Sequence, residues 1–314
     1  MSWQNALACW IVRRRLRPET AKPEISVERA RAYTSKRVWT PKVPRGWRLT
    51  PRYEPGDAPL RGEWLEADPP QQTTILYLHG GGYYFCSPRS HRTIVFALAT
   101  RARARVFSLD YRLAPEHRFP AALDDAVAAY RQLRADGVPA QSLVVAGDSA
   151  GGGLALASLL ALRDAGDALP ACALLFSPWT DLASTGASIR TNDGRDPMFF
   201  GASLGRAARL YLGDADATNP YASPLYGRFD GLPPLLIQVG DTEVLLDDST
   251  RIAEKARAAG VAVDFGIWPK VPHGFQLCAP FMPEANRALE HAARFIQRTT
   301  APSPVHRLPE TSSV

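Results

Sequence analysis

Residues 142–163 read SLVVAGDSAGGGLALASLLALR: an apolar run of strand length, a glycine turn carrying one serine, and a small-residue helix. Leu143, Val144, Val145 and Ala146 make the short all-apolar run expected of a parallel strand buried on both faces. The turn Gly147-Asp148-Ser149-Ala150-Gly151 matches G-x-S-x-G. In that turn the glycines let strand and helix backbones crowd together, and the serine is held strained above the sheet edge. A helix beginning at Ala150 brings free N–H groups and the positive end of its dipole to Ser149, favouring negative charge beside it. An ordinary glycine-rich turn has the same letters, so Ser149 as a nucleophile needs support from elsewhere in the chain.

The flanking sequence supplies a scaffold. Strand patterns fall at 74–78, 105–109, 143–146, 171–176, 234–239 and 261–268, with helical patterns at 91–103, 121–136, 150–165 and 249–259. Such alternation predicts parallel strands joined by helical crossovers, hence an α/β chain whose sheet is covered on both faces. Residues 47–66 alternate loosely and predict an antiparallel edge hairpin broken by Pro55-Gly56-Asp57. With 46% of 314 residues hydrophobic, the chain can bury one large core.

Three segments stand outside this alternation. The start of the chain holds two weakly helical pieces, 3–16 and 27–35, then prolines at 41, 44 and 51. About 55 residues separate the strands ending at Phe176 and starting at Pro234, with one helix expected at 203–212; an excursion of that length reads as a lid. After a final helix at 284–298 comes a Pro/Ser/Thr-rich tail, expected to be disordered.

The net charge of +6 comes from 37 Lys and Arg against 31 acids. The arginines are scattered and no run reaches five bases, so they read as solvated faces and no nucleic-acid partner is expected. Cys9, Cys86, Cys172 and Cys278 are widely spaced and form no C-x-x-C pair, so neither a metal site nor a disulfide framework is expected. A reducing, cytoplasmic setting fits them. The apolar stretch 3–12 is too short to span a bilayer and is followed by Arg13-Arg14-Arg15, the wrong order for a secretory signal. No stable membrane insertion is expected, and an amphipathic helix stays open.

Directly after strand 74–78 comes His79-Gly80-Gly81-Gly82. Acyl transfer needs backbone N–H donors aimed at the developing oxyanion, and Gly81 and Gly82, with the N–H of Ala150, are the candidates. A serine hydroxyl also needs a base. Of six histidines, His273 differs in following the last strand, in the loop 269–275 that reaches the carboxyl edge of the sheet. The acid that orients it is sought in GDTEVLLDD at 240–248. Asp247 and Asp248 read as caps of the next helix, leaving Asp241 and Glu243.

HGGG at 79–82, DYRLAPE at 110–116, GDSAGG at 147–152 and HGF at 273–275 occur in that order. Together they resemble the α/β-hydrolases of the hormone-sensitive-lipase-like family, specifically its bacterial GDSAG esterase branch. The resemblance runs from about residue 74 to the terminal helix. It implies an α/β-hydrolase fold, a mostly parallel central sheet flanked by helices, with a helical cap. The cap would be residues 1–50 plus the insertion at about 182–230, the catalytic domain 51–300, and the tail 301–314.

In this family the acid lies three residues after the glycine ending its strand, which maps onto Glu243. Most members carry Asp there within D-P-L-x-D, where this chain reads Glu243-Val-Leu-Leu-Asp247, so Asp241 remains the alternative. The resemblance further implies a carboxylic ester hydrolase for short- to medium-chain esters, acting through an acyl-enzyme without a cofactor. Its partner would be a small-molecule ester, with a homodimer as the open assembly. Trp3, Trp10, Trp39, Met198, Phe199, Phe200 and Tyr211 would close over the pocket. Cys86 stands where relatives often have glycine, and packing is favoured over lining the pocket. A lactonase or deacetylase would share the chemistry. A ligand-binding protein on the same scaffold would lack the histidine.

Overall fold

A computed structural model describes residues 1–36 and 39–301. Its elements run α1 (Trp3–Arg15), α2 (Arg17–Ala21), α3 (Val27–Lys36), β1 (Trp47–Arg52), β2 (Gly62–Ala67), β3 (Thr74–Leu78), α4 (Arg92–Ala102), β4 (Arg105–Leu109), α5 (Ala121–Ala135), β5 (Leu143–Asp148) and α6 (Ala150–Asp164). They continue with β6 (Cys172–Phe176), α7 (Ser188–Thr191), α8 (Ala202–Leu212), β7 (Leu235–Gly240), α9 (Leu246–Ala258), β8 (Val263–Trp268) and α10 (Pro283–Thr300).

All eight strands form one sheet in the order β1-β2-β4-β3-β5-β6-β7-β8. The expected hairpin is present, with Trp47 opposite Ala67 and Arg52 opposite Gly62, and β2 continues antiparallel onto β4. From β4 through β8 every neighbour is parallel. The alternation of side chains along β3 divides the core. Leu76 and Leu78 pack with α5, α6 and α9, while Ile75 and Tyr77 pack on the other side with α4 and α10.

Strand β5 runs two residues past its apolar letters, because Gly147 and Asp148 keep pairing with Leu175 and Phe176 of β6. The chain therefore leaves the sheet directly at Ser149. Helix α9 begins at Leu246, three residues before the expected start, so Asp247 and Asp248 lie inside its first turn. They do not cap it. Asp247 accepts the N–H of Ser188, and Asp248 accepts those of Thr180 and Asp181, so both carboxylates tie the chain beyond β6 to α9.

The long excursion contains the expected helix, now α8, plus the short α7 that no periodic pattern announces. The first two N-terminal helices lean on it, whereas α3 reaches Tyr84 O, Ala114 O and Glu116 through Arg31. Arg13 donates to the carbonyls of Gly194 and Arg195, Arg17 to that of Asp193, and Thr20 to that of Met198. Of the residues expected to close over a pocket, Trp3 and Trp10 instead point to solvent, because the face of α1 toward the protein carries Asn5, and Trp39 is half-exposed with its ring edge-on to Phe281. The expected tail, apart from Ala301, lies outside the described residues.

Candidate active site

Ser149 sits between β5 and α6 with φ 53° and ψ −122°, a conformation costing on the order of 1–3 kcal/mol that its surroundings must impose. Its N–H donates to Phe176 O at 2.8 Å, and its carbonyl accepts from Gly153 at 3.0 Å and Trp179 at 2.9 Å. The turn closes only without side chains. A Cβ on Gly147 would stand 2.3 Å from Gly151 O, and one on Gly151 would stand 2.0 Å from Leu78 O.

The loop after β3 is locked to this turn by Asp148. That buried carboxylate accepts Tyr77 Oη at 2.7 Å and Gly80 N at 3.0 Å, and lies 3.2 Å from His91 Nε2. Burial works to raise the Asp148 pKa, but the His91 charge and these hydrogen bonds win and hold it below the usual carboxylate value. His79 stacks on Tyr111 at 4.3 Å, and Tyr111 donates to His79 O at 2.6 Å. Burial, reinforced by neighbouring His91, pushes the His79 pKa down to about 3, so it stays a neutral structural ring.

Asp148 thus consumes the Gly80 N–H. Beyond it Gly81 adopts φ 114° and Gly82 φ 57°. A Cβ on Gly81 would fall 2.1 Å from Phe85 O, so only glycine fits there. The N–H groups of Gly81, Gly82 and Ala150 have no acceptor among the described residues. Cys86, at φ 70°, flanks this loop; its Cβ would lie 2.9 Å from a Cβ on Gly81, and burial pushes its thiol up to about 12. The thiol is therefore neutral.

His273 follows β8 and is only 7% exposed. Its Nδ1 lies 2.6 Å from Glu243 Oε2. The other carboxylate oxygen, Oε1, accepts Ser177 Oγ at 2.7 Å and Gly240 N at 2.6 Å. Because Nδ1 donates to a carboxylate, Nε2 carries the ring's lone pair, and Nε2 is buried without a partner among the described residues. Desolvation works to lower the His273 pKa, but the charge and hydrogen bond of Glu243 outweigh it and raise it. Phe199 meets the imidazole edge-on, with centroids 5.0 Å apart.

Asp241 does not contact the histidine, which faces Glu243. Its Oδ1 accepts Lys270 N at 2.6 Å, which anchors the loop that carries His273. Ser149 Oγ and His273 Nε2 do not hydrogen-bond each other in this state, an arrangement that commonly tightens when substrate binds. They are linked through the sheet edge instead, since Phe176 receives the Ser149 N–H and the next residue, Ser177, holds Glu243.

Two supporting residues escape sequence reasoning. Ser177, at φ 45°, carries no motif; its one signal is its place immediately after an apolar strand. Asp196 is fully buried in the long excursion and accepts N–H groups from Met198 and Phe199 with one oxygen and from Val244 with the other. It thereby couples the Phe199 segment to the Glu243 turn. Burial raises its pKa against those three hydrogen bonds.

A sequence profile for the alpha/beta hydrolase fold matches residues 75–277. An acetyl-hydrolase of Streptomyces hygroscopicus is 48% identical over 250 residues, covering 78% of this chain and 84% of that protein. An esterase of Acinetobacter venetianus is 38% identical over 239 residues, covering 76% and 79%. A crystal structure described as an esterase from the bacterial hormone-sensitive lipase family superposes with TM-score 0.86 at 37% identity, covering 96% of this chain and 99% of that one. With its parallel sheet, serine turn and buried histidine–carboxylate pair, this chain belongs to the hormone-sensitive-lipase-like family of α/β-hydrolases.

Proposed function

We propose that the chain hydrolyses carboxylic esters of short to medium acyl length, with Ser149 as nucleophile, His273 as base and Glu243 as the acid that orients it. The observation that carries this reading is the buried His273: one nitrogen is committed to Glu243 at 2.6 Å and the other is buried and unpartnered. Unlike His79, whose Nδ1 meets only a backbone carbonyl, this ring is oriented by a carboxylate, which suits it to taking and returning a proton at Nε2.

As Ser149 Oγ bonds to the ester carbonyl carbon, its proton passes to His273 Nε2. The carbonyl π electrons move onto oxygen, where the N–H groups of Gly81, Gly82 and Ala150 receive the charge. Collapse breaks the bond to the alkoxy oxygen, which leaves with the proton from Nε2. Water then repeats the sequence on the acyl-enzyme, giving its proton to Nε2 and releasing the acid and Ser149. Glu243 stabilises the imidazolium in both halves.

Residues 1–50 and about 182–230 are proposed as the cap, over a catalytic domain of 51–300. Phe199 against His273, and Tyr211 of α8 stacked on Tyr83 at 3.7 Å, support a closed acyl pocket. Four free thiols support a reducing, cytoplasmic setting. The open edge at β8, with Ile267 49% exposed, supports a homodimer that light scattering checks.

The deciding experiment is a series of p-nitrophenyl esters from acetate to palmitate. The expected maximum lies at about two to eight carbons, because each methylene gains up to about 0.8 kcal/mol only while apolar wall remains. A maximum at palmitate with activation at an interface rejects the closed pocket. No hydrolysis of any ester rejects the activity.

A further inference from the structure

Helix α1 faces the wrong way for a helix that only covers a core. Its polar Asn5 is the buried residue and donates to Lys270 O at 3.1 Å. Just before the helix, Ser2 gives both its N–H and its hydroxyl to the Glu284 carboxylate at 2.7 Å. Trp3, Leu7, Trp10 and Ile11 are meanwhile 72%, 46%, 58% and 45% exposed. Their spacing places them on one stripe of the helix. Single exposed apolar side chains are ordinary, but two indoles and two aliphatic chains in one stripe mark a surface that something covers.

The charge beside the stripe says what. It ends at Arg13-Arg14-Arg15, and no Asp or Glu occurs before Glu19. Arg13 is engaged by the Gly194 and Arg195 carbonyls, whereas the Arg14 guanidinium lies 5.7 Å from the Trp10 ring centroid and Arg15 is exposed. Indole and guanidinium side by side suit the boundary between acyl chains and phosphate headgroups. A second copy would bring the same arginines with it; an anionic bilayer brings the opposite charge. At 13 residues the helix is about 20 Å long, short of the roughly 30 Å of a hydrocarbon core, so it lies in the plane of the surface.

We propose that α1 docks this protein reversibly on anionic lipid surfaces, with Trp3, Leu7, Trp10 and Ile11 entering the interface and Arg14 and Arg15 meeting the phosphates. The attachment is peripheral. Among the described residues no helix is long and apolar enough to cross a membrane. The inference is independent of the chemistry at Ser149.

The test is co-sedimentation of the full chain with vesicles of mixed phosphatidylglycerol and phosphatidylcholine, and with phosphatidylcholine alone. Binding to the anionic vesicles is expected. It should fall at least about tenfold in the Trp3→Ala/Trp10→Ala double variant. It should also fall on raising salt from about 0.1 M to about 1 M, and in Arg14→Glu/Arg15→Glu. Melting temperature and turnover of a soluble ester should be unchanged in both variants. Failure to sediment with anionic vesicles overturns the proposal, as does undiminished binding by the tryptophan variant. A wild-type dimer that the tryptophan variant splits, without vesicle binding, assigns the stripe to self-association and overturns it as well.

Discussion

Ser177 donates its hydroxyl to Glu243 Oε1 at 2.7 Å, leaving Oε2 to face His273 Nδ1 at 2.6 Å. The two oxygens of one carboxylate are thus divided between a support and the base. Replacing Ser177 with Ala leaves the Gly240 N–H as the one remaining hold on Oε1 among the described residues, so kcat should fall about tenfold, the scale of one hydrogen bond to a charged group, while KM stays put. Steady-state kinetics on a soluble ester decide it, and an unchanged kcat removes Ser177 from the machinery.

Ser149→Ala and His273→Ala should each lower kcat by at least about a thousandfold, with the double variant scarcely worse than either single one, because the members act as a unit. Near-normal turnover in either folded variant would refute its assignment.

The two acids of the turn after β7 should separate cleanly. Glu243→Gln should cost on the order of a thousandfold or more in kcat by misorienting the imidazole. Asp241→Asn weakens the hold on Lys270 N–H and should lower thermal stability more than kcat. The comparison needs both rates and both melting curves, and a crippled Asp241→Asn beside an active Glu243→Gln would reverse the assignment.

The raised His273 pKa sets the acid limb of the pH profile. Catalysis needs Nε2 unprotonated, so kcat/KM should fall as pH drops through an apparent pKa above 6.5. Glu243→Gln should move that limb to lower pH. For stability the sign is opposite: the imidazolium–Glu243 attraction is fully present below the unfolded histidine pKa and is lost as pH rises through the folded one. Rates and melting temperatures between about pH 5 and 9 test both statements.

Asp248 is fully buried, and desolvation, opposed by the Thr180 and Asp181 N–H groups, pushes its pKa up to about 7 from 3.8. Between those values the folded state holds the proton more tightly than the unfolded one, so this group favours folding at low pH and loses that contribution as pH rises toward 7. Asp248→Asn keeps an acceptor for the two N–H groups without the titration. Its melting temperature should therefore depend less on pH across this window than the wild type's, and an identical slope would refute the shift.

What the sequence disclosed follows from how local each feature is. The strand from Leu143, the glycines around Ser149 and the HGGG loop are written in adjacent letters, because steric demands between neighbours dictate them. Glu243 was reached only through the resemblance, since GDTEVLLDD offers four carboxylates and which one meets His273 depends on a turn geometry that spacing does not encode. Ser177 and Asp196 were invisible for a related reason. Each acts on a residue about fifty or more positions away, and neither sits in a periodic pattern. The expectation that Trp3 and Trp10 cover the pocket failed because bulk alone does not say which face of a helix turns inward; Asn5, bonded to Lys270 O, settles that for α1.

The bonds from Asn5 to Lys270 and from Ser2 to Glu284 span 265 and 282 positions. During synthesis, helix α1 can meet the carbonyls of Gly194 and Arg195 through Arg13, but the anchors at its N-terminal end do not exist until nearly the whole chain has emerged. The loop bearing His273 is itself among the last pieces made, and it receives its N-terminal brace at the same moment. Ser149 and its oxyanion loop can thus be folded on a nascent chain that has no base, and the competent centre is closed by a joining of early and late segments. A chain stopped short of residue 270 would carry the serine turn and the sheet around it, yet lack the base and both C-terminal anchors of its first helix.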